Sequence, residues 1–425
     1  MKSLGRIAAL GAGVLALAGC WPVPGQNADR TAYNSVETGL TPGTVGDLTQ
    51  AWAATTIPGR PLSAPVVSGG GVHVVVDGCA LGTVRPEDGT LLWARTVDVT
   101  GICDPFAPNT YIIQYTPPYV VGDRVLYGYR FRRPDTHPPI DVGSGAIRSY
   151  DIATGADAAG PRPPSEFARG VRGDLLLGSS DRQLPPPMPV PAVFFASNGT
   201  IAVVSLSDAG APPRQFATAG GGPPTLGVDA IFQASNTTVS AYDVDEAHPG
   251  CGTDASLECP VWQTPIDGNG TDPVLAPGGD SVVYVGTTAG TVYALDAATG
   301  AVRWSVALGA AVSAPPALAE GVLYVPTADQ RVVAVDAADG AAQWTAATAG
   351  VVGVQPAVAG GVVYTGSRTG TVEAFAAAGC GAATCPPLWS AGAGAAITGA
   401  PAVASGSVYV GTADGHLVAY RRPGT

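Results

Sequence analysis

The sequence predicts an all-β chain: an eight-bladed β-propeller whose ring is closed by an N-terminal strand. Three observations carry that expectation. Residues 286–344 hold two copies of one phrase, VGTTAGTVYALDAATGAVRW and VPTADQRVVAVDAADGAAQW, with Asp296 to Asp336 and Trp304 to Trp344 both 40 residues apart. A period near 40 with several short strands per unit marks stacked repeats, because no single unit can bury both of its faces alone. The runs at 282–285, 291–296 and 301–304 are short, β-branched or aromatic, and bounded by Gly or Asp, as strands are. Finally, the last unit, VYVGTADGHLVAY at 408–420, stops without a Trp strand, whereas DLTQAWA at 47–53 is a strand with Trp52 and no unit of its own. Pairing the two would fasten the ring between its termini and leave no open edge.

Taken in chain order, residues 1–19 read as a lipoprotein signal peptide. Lys2 and Arg6 form a basic start, and residues 7–18 are an apolar run too short to span a bilayer comfortably. The run ends Leu17-Ala18-Gly19-Cys20, which resembles the bacterial lipobox. That resemblance implies cleavage before Cys20, lipidation of Cys20 through its sulfur and new amino group, and a stable anchor of two or more acyl chains of the palmitate kind. Residues 20–46 contain Pro, Gly and Asn without periodicity and are expected to be a flexible, lipid-anchored tether. The propeller is expected over 47–422.

Within it, units end at Trp93, near Gly160, near Phe216, and at Trp262, Trp304, Trp344 and Trp389. Trp93 to Trp262 is 169 residues for three units, well beyond the period of the clear repeats, and Pro-rich inserts at 132–143 and 181–191 supply the excess. One unit fewer in that stretch would give the alternative, seven blades. Each clear unit carries a turn such as DAATG at 296–300, where Asp296 can accept hydrogen bonds from the turn amides and Gly300 can take the left-handed position. Four residues after the glycine comes the Trp, at Gly89/Trp93, Gly300/Trp304 and Gly340/Trp344. A large ring at a fixed place on each outer strand can wedge between neighbouring sheets. The identical recurrence of Asp and Trp argues for a structural role over a metal-binding or sugar-binding one, since a site is local to one place. Inner strands such as 313–318 (SAPPAL) are small-residue runs suited to a crowded axis.

Besides Cys20, six cysteines fall as sequence neighbours: Cys79 and Cys103, Cys251 and Cys259, Cys380 and Cys385. An even count in an exported chain suggests disulfides; fifteen pairings are open, and sequential pairing is favoured because each pair lies within one unit or bridges adjacent ones. Metal binding is not expected, because there is no C-x-x-C and the histidines are scattered.

Composition supports a folded, non-helical body: Gly 58, Pro 39, 46% hydrophobic and only 13% charged. The net charge is −12, and loss of Lys2 and Arg6 with the signal peptide makes it −14, which argues against nucleic acid and against electrostatic docking on anionic lipid.

The phrase VYVGT-x-x-G-x-V-x-A-x-D-A-x-T-G-x-x-x-W is similar to the repeat of the PQQ-type propellers, with good copies over 263–344 and weaker ones over most of 47–422. One branch of that family, the quinoprotein alcohol dehydrogenases, holds pyrroloquinoline quinone and calcium. Another comprises non-enzymatic binding propellers, including the lipid-anchored propeller that assists outer-membrane barrel assembly. The enzyme branch carries a disulfide between adjacent cysteines over the cofactor, and no Cys-Cys occurs here. No G-x-S-x-G with a His partner, P-loop or H-E-x-x-H is present either. No catalytic residue and no cofactor is therefore assigned.

The expected function is a lipid-anchored, extracytoplasmic scaffold that binds a protein or ligand in the bacterial envelope, on the cell membrane or outer membrane, as a monomer. The alternative is a quinone-dependent dehydrogenase or other small-molecule enzyme, the only case that would call for PQQ and calcium. For partner contact the least repeat-like surface is the candidate: Tyr127, Tyr129 and Phe131 on one strand face beside Arg130, Arg132 and Arg133. The same aromatics could instead pack between blades, with the arginines solvated.

Overall fold

The structure is a computed structural model that describes residues 20–21, 25–26, 30–55, 60–77, 79–96, 112–132, 146–158, 176–179, 192–197, 200–205, 214–217, 222–227, 230–243, 259–276 and 281–424. Among these, strands account for nearly all regular structure, with one short 3-10 turn at Val45–Asp47. They form eight sheets, built from residues 66–96, 112–151, 176–217, 225–265, 274–307, 317–347, 357–392 and 402–421. With one exception, and apart from the N-terminal strands Tyr33–Asn34 and Thr49–Thr55, the strands run inner to outer in chain order, each antiparallel to its sequence neighbour. The exception is the second sheet, where the long strand Arg124–Arg132 carries two short partners end to end, Ile112–Tyr115 and Tyr119–Val121.

The eighth sheet is completed from the other end of the chain. Thr49–Thr55 pairs antiparallel with His416–Arg421, from Thr49 opposite Arg421 to Thr55 opposite His416. This is the closure expected from the sequence.

Six of the sheets are tied to the next by an outer-strand tryptophan. Trp304 donates its indole N–H to the carbonyl of Ala337 at 3.1 Å, Trp344 to Ala377 at 3.1 Å, and Trp262 to Ala297 at 2.9 Å. Trp93 reaches Ile152 and Trp52 reaches Pro86, each in the turn before the next outer strand. Trp389 reaches Leu48, just before the closing strand, at 2.9 Å. The turn glycine of the next sheet lies under the ring. A Cβ on Gly340 would come within 2.8 Å of Trp304, and one on Gly300 within 2.5 Å of Trp262. These glycines also hold positive φ, +79° and +71°. The glycine is thus required twice, by its turn and by the ring packed on it. In several sheets the same Trp meets an aromatic of its own second strand, as in Tyr284–Trp304 at 6.0 Å and Tyr324–Trp344 at 5.9 Å.

Asp296 serves its turn. One oxygen accepts from the amides of Ala298 and Thr299 and the Thr299 hydroxyl, and the other from Arg303. Arg303 and the Thr299 hydroxyl hold its carboxyl below the usual carboxylate range.

One expectation is corrected here. Residues 20–46 do not form a free tether, since their described part is packed into the middle of the ring. Trp21 is 1% exposed, and Ala32, Leu40 and Val45 are fully buried. Tyr33–Asn34 adds a parallel strand to the inner strand Ala357–Ala359. The inner strands Ala317–Ala319, Ala357–Ala359 and Ala402–Ala404 are buried runs of small residues, and the space they leave at the axis is filled by this segment. Its lack of periodicity has a physical cause: it binds several sheets one residue at a time, so no period of 2 or 3.6 is imposed on it.

In the first sheet His73 takes the register held elsewhere by Tyr324, Tyr364 and Tyr409. It is fully buried, with Nδ1 2.7 Å from the Thr83 hydroxyl and Nε2 3.0 Å from the Ser68 carbonyl. Burial pushes its imidazole down to about 4.

Two outcomes follow for urea unfolding of the purified protein. Gly340→Ala should cost about 1–3 kcal/mol through strain at positive φ and the clash with Trp304, and Trp304→Ala about 3 kcal/mol. For His73, the unfolded chain takes up a proton below its ordinary value of 6.5 while the folded chain resists until about 4. Stability should therefore fall as pH drops through that window, by at most about 3 kcal/mol, and His73→Tyr should flatten the slope.

Candidate functional site: the filled axis and the closure seam

The axis is where elements far apart in sequence converge. The Leu318 amide donates to the Thr31 carbonyl and the Val358 amide to the Ala32 carbonyl, each at 2.8 Å. Gln355 donates to the carbonyls of Arg30 and Pro316. Asn34, fully buried, donates to the Val403 carbonyl at 2.9 Å and to the Cys20 carbonyl at 3.3 Å. On the far side, Trp21 and Val67 exchange backbone hydrogen bonds at 2.6 and 2.9 Å. The segment is thereby held by the first, sixth, seventh and eighth sheets.

Among its charged residues, Arg30 places its guanidinium 2.7 Å from Asp272, ahead of the fifth sheet's first strand. Both side chains are largely buried, 14% and 18% exposed. Burial raises the Asp272 carboxyl, and Arg30 opposes that rise. Tyr119 of the second sheet senses both groups and is pushed up to about 12, mainly by burial. At the other end Glu37 accepts from the amides of Gly39 and Gly406.

At the seam between the eighth and first sheets lies a cleft of about 220 Å³, lined by Pro86, Glu87, Ser405, Ser407, Tyr409 and Arg421 among others. Arg421 donates to the Pro86 carbonyl across the seam at 2.5 Å. The cleft is smaller than the roughly 300–1,000 Å³ of sites that engulf a drug-sized ligand.

The residues singled out from the sequence are distributed as follows. Tyr127 and Tyr129 are buried, 0% and 3% exposed, in a cluster with Val75, Leu81, Trp93 and Tyr150. Neither ring is open to a partner, which corrects the contact-surface reading for these two. They pack between sheets because their strand is sandwiched by the first sheet. Arg130, Phe131 and Arg132 continue that strand, opposite Gln114, Ile113 and Ile112, and Arg133 lies outside the described residues. Cys380 and Cys385 form a disulfide with Cα atoms 5.6 Å apart. Their loop grips the sixth sheet's outer strand, with Thr345 and the loop exchanging backbone hydrogen bonds of 2.8 Å with Ala383 and Cys385. Cys79 and Cys259 are disulfide-bonded, while Cys103, Cys251 and residues 1–19 lie outside the described residues. Cys20 is a partly buried free thiol.

Sequence reading missed Arg30, Asn34, Glu37 and Asp272. The available signal was Trp21, Leu40 and Val45, large apolar residues that a solvated tether does not need. Among the described residues, no group of three or more His, Cys, Asp or Glu is placed to hold a metal ion.

Arg30→Ala would leave Asp272 buried without its cation, costing about 2–4 kcal/mol near neutral pH. Because the carboxyl is already raised and would rise further, the deficit should shrink as acidification neutralises it. Urea midpoints at pH 7 and pH 5 check this, and an unchanged deficit would refute it.

Residues 259–351 and 348–424 match a family model described as outer membrane protein assembly factor BamB. No curated protein sequence matches the chain. Among solved structures, the quinohemoprotein alcohol dehydrogenase from Comamonas testosteroni is 14% identical with a TM-score of 0.67, over 96% of this chain and 81% of that one. BamB from Moraxella catarrhalis is 15% identical with a TM-score of 0.56, over 89% and 98%. The computationally designed Ika8 protein is 14% identical with a TM-score of 0.60, over 88% and 99%. At such identities the likeness speaks to fold. The chain has a β-propeller fold, and the repeat of its C-terminal part, residues 259–424, is similar to the BamB-type repeat.

Proposed function

We propose that the chain is a lipid-anchored, extracytoplasmic propeller that acts as a binding scaffold in the bacterial cell envelope. The observation that carries the reading is the pairing of a lipobox-like Leu17-Ala18-Gly19-Cys20 with a repeat matching the BamB family model. That description names an outer membrane protein assembly factor, which favours an outer-membrane-associated role and a protein partner here. A rigid ring with loops on both faces suits such a role. The membrane attachment in this reading comes from lipid on Cys20, and among the described residues no helix is long and apolar enough to cross a membrane. Cofactor-free binding is part of the proposal. Calcium- and quinone-dependent oxidation of an alcohol or sugar would favour the dehydrogenase reading.

Crosslinking in intact cells followed by purification from membranes should recover discrete envelope proteins. Cys20→Ser should move the chain to the soluble fraction and reduce that recovery. Membrane retention of Cys20→Ser would overturn the lipid anchor, and a clean pull-down of the wild-type chain would overturn the scaffold.

A further inference from the structure

We infer that the anchored ring lies with the face bearing turns 296–300 and 336–340 against the bilayer. This rests on the lipid-anchor reading of Cys20. It follows from where the structure puts the residue after that cysteine.

Trp21 is fixed in the body, 1% exposed and bridged antiparallel to Val67. The inner strand Val66–Ser68 runs toward its turn at Gly69 and Gly70. Because the bridge is antiparallel, Cys20 lies toward that turn end. The contacts of Asn34 agree: it holds the Cys20 carbonyl and that of Val403, in the strand that exits through Ser405 and Gly406. Glu37, three residues on from Asn34, binds the Gly406 amide on the same side. Strands alternate in direction within each sheet, so the turns after first strands and those after third strands share one face. Cys20 thus emerges at the axis on the face that carries turns 151–155, 296–300 and 336–340.

The reach of the anchor is correspondingly short. A free tether of residues 21–46 would give an end-to-end distance of roughly 25–30 Å. With Trp21 seated, one peptide of about 3.8 Å separates the lipidated residue from the folded ring. The acyl chains supply the hold on this face: its turns present Asp88, Asp123, Asp339 and Glu320, and the arginines beside them, Arg85, Arg124 and Arg303, are ion-paired with Asp88, Asp123 and Asp296. The opposite face, with turns 287–290, 328–330, 368–370 and 412–415, is directed away from the bilayer and is the one available to partners.

The test uses the full, lipidated chain in vesicles of phosphatidylethanolamine with a minor share of phosphatidylglycerol. A photoreactive diazirine amino acid replaces exposed Ala298 or Ala338 on one face, or exposed Ala289 or Ala328 on the other. Lipid adducts are counted by mass spectrometry, and the N-terminal peptide is checked for acyl chains. Adducts should be several-fold more frequent at Ala298 and Ala338. Inserting about 15 Gly and Ser residues between Cys20 and Trp21, roughly 20 Å of coil, should erase the difference while the protein stays on the vesicles. An acylated Cys20 with equal or reversed labelling overturns the orientation alone. A Cys20 without acyl chains overturns the orientation and the anchor together.

Discussion

Six indole N–H groups reach from one sheet to a main-chain carbonyl of the next, and the ring depends on that contact. A single sheet of four short strands cannot bury both of its faces without a neighbour. The Trp supplies the missing interface in one residue, with an apolar ring laid over a turn and a donor that satisfies a carbonyl the turn leaves unpaired. The turn must offer a glycine because the ring sits where a Cβ would be. Each Trp and the glycine under it therefore belong to different sheets. The gap of four residues within a unit is the trace of two separate contacts, one made with the sheet behind and one with the sheet ahead.

The same contact explains how the ring closes. Trp389 docks on Leu48, and Trp52 in turn docks on Pro86. The N-terminal strand thus does more than pair with His416–Arg421, since it accepts one inter-sheet contact and makes the next. The first and last sheets are joined by the chemistry used at five further junctions of the ring.

The axis follows a different principle. Strands lining it are built of small residues, and the gap they leave is taken up by a segment with almost no secondary structure of its own. That segment is satisfied by single hydrogen bonds to several sheets, by one ion pair, Arg30 with Asp272, and by one capped carboxylate, Glu37. Such a core is polar and specific. It fixes how the N-terminus leaves the ring, and through that the position of any anchor on Cys20.

The sequence by itself determined what recurs. Strand runs, Asp turns, the Trp–Gly spacing and the strand displaced to the N-terminus are local or periodic, and physical chemistry reads them without coordinates. Tertiary structure alone decided what is made once. Residues 20–46 carry no period because each contact is with a different sheet, so a packed axial segment and a free linker look alike in sequence. Tyr127 and Tyr129 beside arginines resemble a contact surface until the neighbouring sheet covers them. The reason is common to both cases: burial set by partners distant in the chain leaves no local pattern, whereas burial repeated in every unit writes its period into the sequence.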